Sequence, residues 1–316
     1  MATLTIKESI TATAAHIEEQ TLGGAVLVKT STTITFNNDC TLVLIAIGGG
    51  GGGGKSTTVN PGDGGGGGEI CRNIVSFKTG DSLNVVIGAE GAAGSANDGG
   101  NGGDTSIILT RTGASIISAT GGSGGWCWSS GEHGTTPYSR TTTGGTNGKT
   151  SIDAEFQEYA QSTPGGNGGD KTTSNGRVSG FGSYGGGGGR GGVSLVDNNG
   201  TGIYGGGNGG TFSSGCSTNT CEGKPGTANS GGGGGGGAVN SSGKNGGAGG
   251  SGAVIFMNTP TQYIGISNIE TKLRELHQLP GSQIDQLNQQ YNGTMMAGAM
   301  WTVLATSLVY YVFTQL

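Results

Sequence analysis

The sequence predicts a mainly β protein built around a packed bundle or sandwich of extended glycine helices, with C-terminal α-helices of which the last is hydrophobic. Three observations predict it. Glycine accounts for 74 of the 316 residues, and all but six of these lie between Gly48 and Gly252. Short β-branched segments interrupt the glycine at intervals. Beyond residue 257 glycine becomes rare and apolar residues recur at helical spacing.

Residues 1–47 form the first compositional segment. AVLVK at 25–29, TTITF at 32–36 and TLVLIAI at 41–47 read as strands, the second alternating and the third almost continuously apolar. Asn37, Asn38 and Asp39 supply the turn between the last two.

Residues 48–257 form the glycine-rich body, with uninterrupted runs at 48–54, 64–68, 185–189 and 231–237. Collagen requires glycine at strictly every third place with abundant proline, and the chain has neither the period nor more than 6 Pro. A flexible linker would not carry EICRNIVSF (69–77), SLNVVIG (82–88), TSIILT (105–110), ASIISAT (114–120) and GAVIFM (252–257), all strand-like. A disordered chain would carry more charge than 11%. The remaining reading uses glycine as a construction material. A three-residue-per-turn extended helix leaves its N–H and C=O groups unpaired along its own axis, and without Cβ atoms such helices approach closely enough to bond one another laterally. A seven-residue run then spans ~22 Å at ~3.1 Å per residue.

Residues 258–294 contain two capped amphipathic segments. Ile266, Ile269, Leu273 and Leu276 make one stripe, opened by a capping box at Ser267–Glu270 and stopped at Pro280-Gly281. A second box at Ser282–Asp285 precedes Ile284, Leu287 and Tyr291. Residues 295–316 are uncharged over a length that spans a bilayer core. Val303, Leu304, Leu308, Val309, Val312, Phe313 and Leu316 together favour insertion by roughly 3 kcal/mol. Trp301, Tyr310 and Tyr311 share the segment. Gly298, Thr302 and Thr306 form a small-residue stripe suited to close helix packing. The tail reads either as a membrane anchor or as a helix buried in a protein assembly.

Several motifs carry competing readings. Gly49, Gly54, Lys55 and Ser56 satisfy a phosphate-loop pattern, but STTVNPGDGGGGG follows where the chemistry needs a helix. Cys216 and Cys221 are poorly spaced for zinc and are candidates for a local disulfide. His16, His133 and His277 stand in no arrangement with a nucleophile and carboxylate. No catalytic residue, metal or cofactor is therefore expected. Trp126 and Trp128, two of only three tryptophans, read equally as a partner contact or as local core. A net charge of −5 without a basic cluster argues against nucleic acid. The N-terminal residues lack the pattern of a secretory signal, so synthesis in the cytosol is expected, with the sequons at Asn199, Asn240 and Asn292 unused.

The order TLVLIAI–GGGGGGG, GGGGGEICRNIVSFKTGDSLNVVIGAEGAAG, NGGDTSIIL, ISATGGSGG and NGGAGGSGAVIF resembles the glycine-rich domain of phage tail-fibre and related virion proteins. The resemblance covers roughly residues 32–257 and implies a polyglycine-II sandwich flanked by strands. The tail WTVLATSLVYYVF is instead similar to C-terminal segments of virion proteins from large DNA viruses with an internal membrane. Together these imply a minor capsid protein or capsid-to-membrane tether, located in the capsid or virion membrane. Its expected partners are capsid or other virion proteins, further copies of itself, and a membrane through 295–316. The alternative is a receptor-binding adhesin that presents loops such as 122–145 and 211–228.

Overall fold

The computed structural model describes residues 10–12, 17–20, 25–127, 142–146, 151–170, 174–177, 184–192, 199–212, 220–240 and 242–258. The chain divides into two compact units, Met1–Asn258 and Thr259–Leu316. The second lies outside the described residues, and with it the predicted amphipathic helices and the hydrophobic tail.

The first unit is mainly β, with eleven described strands: β1 (Ile10–Ala12), β2 (Ile17–Gln20), β3 (Ala25–Val28), β4 (Thr32–Phe36), β5 (Cys40–Ile47), β6 (Ile70–Phe77), β7 (Ser82–Val86), β8 (Thr105–Leu109), β9 (Ala114–Ala119), β10 (Gln161–Thr163) and β11 (Ala253–Asn258). A single 3₁₀ turn spans Ala154–Phe156. Two antiparallel sheets result, one ordered β1-β4-β7-β8-β9 and the other β10-β6-β5-β11-β3-β2. Strands from both sides of residue 47 share both sheets.

The two sheets enclose the main core. Alternation in β4 and β7 turns Ile34, Phe36, Leu83 and Val85 inward, while Thr33, Asn84 and Val86 stay exposed. From the facing sheet come Leu42, Leu44, Val75, Phe77, Val254 and Phe256. Phe36 and Phe77 stack with ring centroids 4.2 Å apart. The continuous apolar run of β5 has its reason here. Leu42, Leu44 and Ala46 enter this core, whereas Val43, Ile45 and Ile47 join a second cluster on the opposite face with Leu27, Ile70 and Ala253. Each fully buried large side chain contributes roughly 1.5–3 kcal/mol.

The glycine segments bond laterally with a period of three. Within Gly48–Ser56 the N–H groups of Gly48, Gly51 and Gly54 donate to the carbonyls of Glu69, Gly66 and Asp63. Those of Gly49, Gly52 and Lys55 donate to Gly103, Gly100 and Asn97, and those of Gly50, Gly53 and Ser56 to Gly250, Gly247 and Lys244. All three acceptor segments run antiparallel. Three parallel segments donate back: Gly122 and Gly125 to Gly49 and Gly52, Gly91 and Gly94 to Gly50 and Gly53, and Gly234 and Gly237 to Gly51 and Gly54. One run is thus bonded to six neighbours, as lateral pairing of threefold helices requires. The close approach leaves no room for a side chain: a Cβ on Gly51 would collide with the Ser123 carbonyl oxygen.

Candidate interaction surface

Strand register gives the first unit a polarity. Ile47 lies opposite both Ile70 and Ala253, Thr163 opposite Ile70, and Thr105 opposite Ala119. These are the points where strands pass into glycine segments, so the bundle grows from one end of the sandwich. Two buried polar clasps seal this junction. The Thr105 hydroxyl donates to the Ile47 carbonyl at 2.7 Å and accepts the Gly88 N–H at 2.9 Å. Fully buried Glu69 accepts the Thr120 N–H and hydroxyl at 3.0 and 2.8 Å, and the Ser162 hydroxyl as well. A buried carboxylate needs such donors to offset its desolvation.

The opposite end of the sandwich holds Cys40 across from Phe77, Leu109 across from Ala114, and Asn258 across from Leu42. Here the Lys78 ammonium donates to Asp39 Oδ2 at 2.8 Å, and the Thr79 N–H to Oδ1 at 2.8 Å, tying the β4–β5 turn to the β6–β7 turn. The Lys78 bond first, then the Thr79 N–H, holds the Asp39 carboxyl down to about 2. Burial, aided by Asp39 and Asp81, pushes the Cys40 thiol up to about 11. In the β6–β7 turn Gly80 adopts φ +88°, a left-handed conformation that favours glycine. Asn258, the last described residue, lies at this end.

The far end of the bundle carries its turns. Gly54 bonds to Asp63 across the 55–62 turn, Lys55 to Asn97, and Ser56 to Lys244. No helix follows Lys55: the Thr57 N–H turns back to the Asn60 carbonyl, and Gly62–Glu69 bond laterally into the bundle, so the phosphate-loop pattern has no phosphate-binding geometry. Trp126 is half-buried here, its carbonyl accepting the Asp63 N–H at 3.1 Å. Cys127 beside it donates its N–H to Asp98 Oδ1 at 2.6 Å. Trp128 lies outside the described residues. The Gly192 N–H donates to the Gly210 carbonyl, and the preceding Gly191 N–H to Gly62 beside the 55–62 turn.

Along one flank, side chains replace the backbone as hydrogen-bond acceptors. The N–H groups of Gly121, Gly124 and Cys127 donate to the side-chain oxygens of Asp104, Asn101 and Asp98, at 2.8, 2.9 and 2.6 Å. A polar cleft of about 310 Å³ runs beside this ladder, lined by Asn101, Asp104, Thr120, Ser123, Thr143 and Thr146 with intervening glycines. The Ser123 hydroxyl, within 2.8 Å of the Thr143 carbonyl, also accepts the Thr143 N–H. These groups hold the bundle together. The sequence reading missed the ladder, although its signal is present: Asp98-Gly-Gly-Asn101-Gly-Gly-Asp104 repeats a polar residue every third place.

Of the cysteines, Cys221 is disulfide-bonded, while Cys40, Cys71 and Cys127 form no disulfide. Cys216 lies outside the described residues, as do Gly298, Trp301, Thr302, Leu304, Thr306, Leu308, Val309, Tyr310, Tyr311, Val312 and Phe313. No described helix is long and apolar enough to cross a membrane. Among the described residues no group of three or more His, Cys, Asp or Glu side chains could hold a metal ion.

Residues 27–258 match a protein family described as a glycine-rich domain. No curated protein matches the chain at a significant level.

Proposed function

The chain belongs to the glycine-rich domain family, and on that footing we propose that it is a non-enzymatic virion structural protein, a minor capsid component or capsid-to-membrane tether. The glycine runs act as a polyglycine-II bundle, a reading supported by their three-residue, six-neighbour bonding. The observation that carries the proposal is the polarity of the first unit. Asn258, the last described residue, pairs with Leu42 at the end of the sandwich remote from the glycine bundle. A body built this way is held at its sandwich end and packs its bundle against shell proteins.

In this reading the tail residues Gly298 to Phe313 provide attachment, through a bilayer or a protein groove, and the body provides rigidity. Deleting 295–316 from the viral genome tests it. Virions that lack the protein while it still accumulates in cells support the tether. Normal incorporation removes the tail from that role.

One observation favours a second reading. The turns and half-buried Trp126 lie at the bundle end away from Asn258, where a receptor-binding adhesin would present its contacts. A tail-less chain that still binds host cells, and loses that binding on Trp126→Ala, would support the adhesin.

A further inference from the structure

Among the described residues, run 120–127 is bonded through its backbone to four neighbours, where Gly48–Ser56 has six. Residues 122 and 125 donate to Gly49 and Gly52 and accept from Gly102 and Gly99. Residues 120, 123 and 126 accept from Glu69, Gly66 and Asp63, and Ser123 donates to Thr143. The third class of residue is 121, 124 and 127. In the interior its N–H groups would donate to another glycine run. Here they meet Asp104, Asn101 and Asp98, all exposed.

We propose that this ladder closes the flank of the bundle to a glycine run from a second copy of the chain. The geometry is the threefold counterpart of a sheet edge, where a row of unpaired N–H groups is a template for another chain. The three-residue spacing of Asp98, Asn101 and Asp104 matches the repeat of the N–H groups they cap. The same device recurs at other margins: Asn167 Oδ1 accepts the Gly144 N–H at 3.1 Å, Asn175 the Thr201 N–H at 2.9 Å, and Asn208 the Gly202 N–H at 2.9 Å. The inference is independent of the virion reading. It directs any self-association of the chain to surfaces other than this flank.

The test compares full-length chains by sedimentation velocity in mild detergent over a range of concentrations. D98G/N101G/D104G removes the caps and leaves a smooth glycine surface; it is expected at least to double the sedimenting mass as concentration rises. D98N/D104N keeps all three side-chain oxygens and is expected to sediment like the parent. A folded glycine variant that sediments like the parent overturns the proposal, as does equal association of the asparagine variant, which would assign the effect to charge. Should the glycine variant fail to fold, amide exchange on the unchanged chain decides. Gly121, Gly124 and Cys127 are expected to exchange as slowly as Gly122 and Gly125; exchange at open-chain rates means that the ladder does not form.

Discussion

Asn101 Oδ1 lies 2.9 Å from the backbone nitrogen of Gly124 and accepts its hydrogen bond. A side chain here takes the place that a carbonyl holds in the bundle interior. The bundle therefore ends for a chemical reason: where a triplet carries Asn or Asp instead of a third glycine, the lateral bonding of the neighbouring run is completed internally. Inside, the same closeness forbids any side chain.

That closeness makes glycine substitutions unequal. Gly51→Ala drives a methyl into the Ser123 carbonyl and is expected to destabilise the first unit by more than about 3 kcal/mol, because backbone cannot move aside as a side chain can. Gly80→Ala meets nothing within 4 Å and is penalised only by its φ of +88°, at about 1–2 kcal/mol. Urea unfolding of both variants checks the difference; equal losses would remove steric exclusion as the reason for glycine in the runs.

The sandwich supplies the apolar burial that the bundle lacks. Phe77→Ala removes half of the stacked pair with Phe36 from a fully buried site and is expected to cost about 3–5 kcal/mol. If bundle and sandwich unfold as one, the loss appears in a single transition, and the amides of Gly48–Gly54 lose protection together with those of β5.

Much of this sandwich was legible from residue order. The β-branched alternation of 32–36 and 82–86 and the apolar run 41–47 each became a strand, because burial on one face or two leaves a visible pattern. The short strands Ile10–Ala12, Ile17–Gln20 and Gln161–Thr163 left none. Gln161–Thr163 is a polar three-residue edge whose one partner among the described strands is β6, so tertiary pairing rather than its own residues makes it a strand. The reading of the glycine runs anticipated lateral bonding. The ladder of Asp98, Asn101 and Asp104 shows in the sequence as the inverse of a glycine repeat, a polar residue at every third place. The polarity of the unit was hidden because register is set by long-range pairing, such as Asn258 with Leu42.

The junction clasps are expected to be specific. Thr105→Val keeps the shape and removes the hydroxyl that serves both Ile47 and Gly88, leaving two buried backbone groups without it, at about 2–4 kcal/mol. Thr105→Ser is expected to restore most of the loss. Thermal unfolding of the pair measures this; identical melting temperatures would show that the hydroxyl is dispensable.

Asp39 gives a pH signature. Its folded pKa of about 2 is depressed from the ordinary 3.8, so its contribution to stability is complete above the unfolded value and is lost as pH falls through the folded one. Stability is expected to decline between these values, and Asp39→Asn to flatten that decline. An unchanged acid limb in the variant would show that the Lys78 and Thr79 contacts contribute nothing in solution.

Cys40, with its thiol pushed up to about 11, is expected to alkylate far more slowly near neutral pH in the folded chain than after denaturation. Peptide mapping without reduction is expected to join Cys221 to Cys216. A map linking Cys221 to Cys40, Cys71 or Cys127 contradicts both the disulfide assignment and the fold around it.

The anchoring role is tested most directly by flotation of the purified full-length chain on lipid vesicles, followed by a carbonate wash, beside a version ending at Gly293. The account predicts that the full-length chain floats and resists the wash while the shortened one remains in the load. If neither floats, residues 295–316 are not a membrane anchor, and the tether to a virion membrane is contradicted.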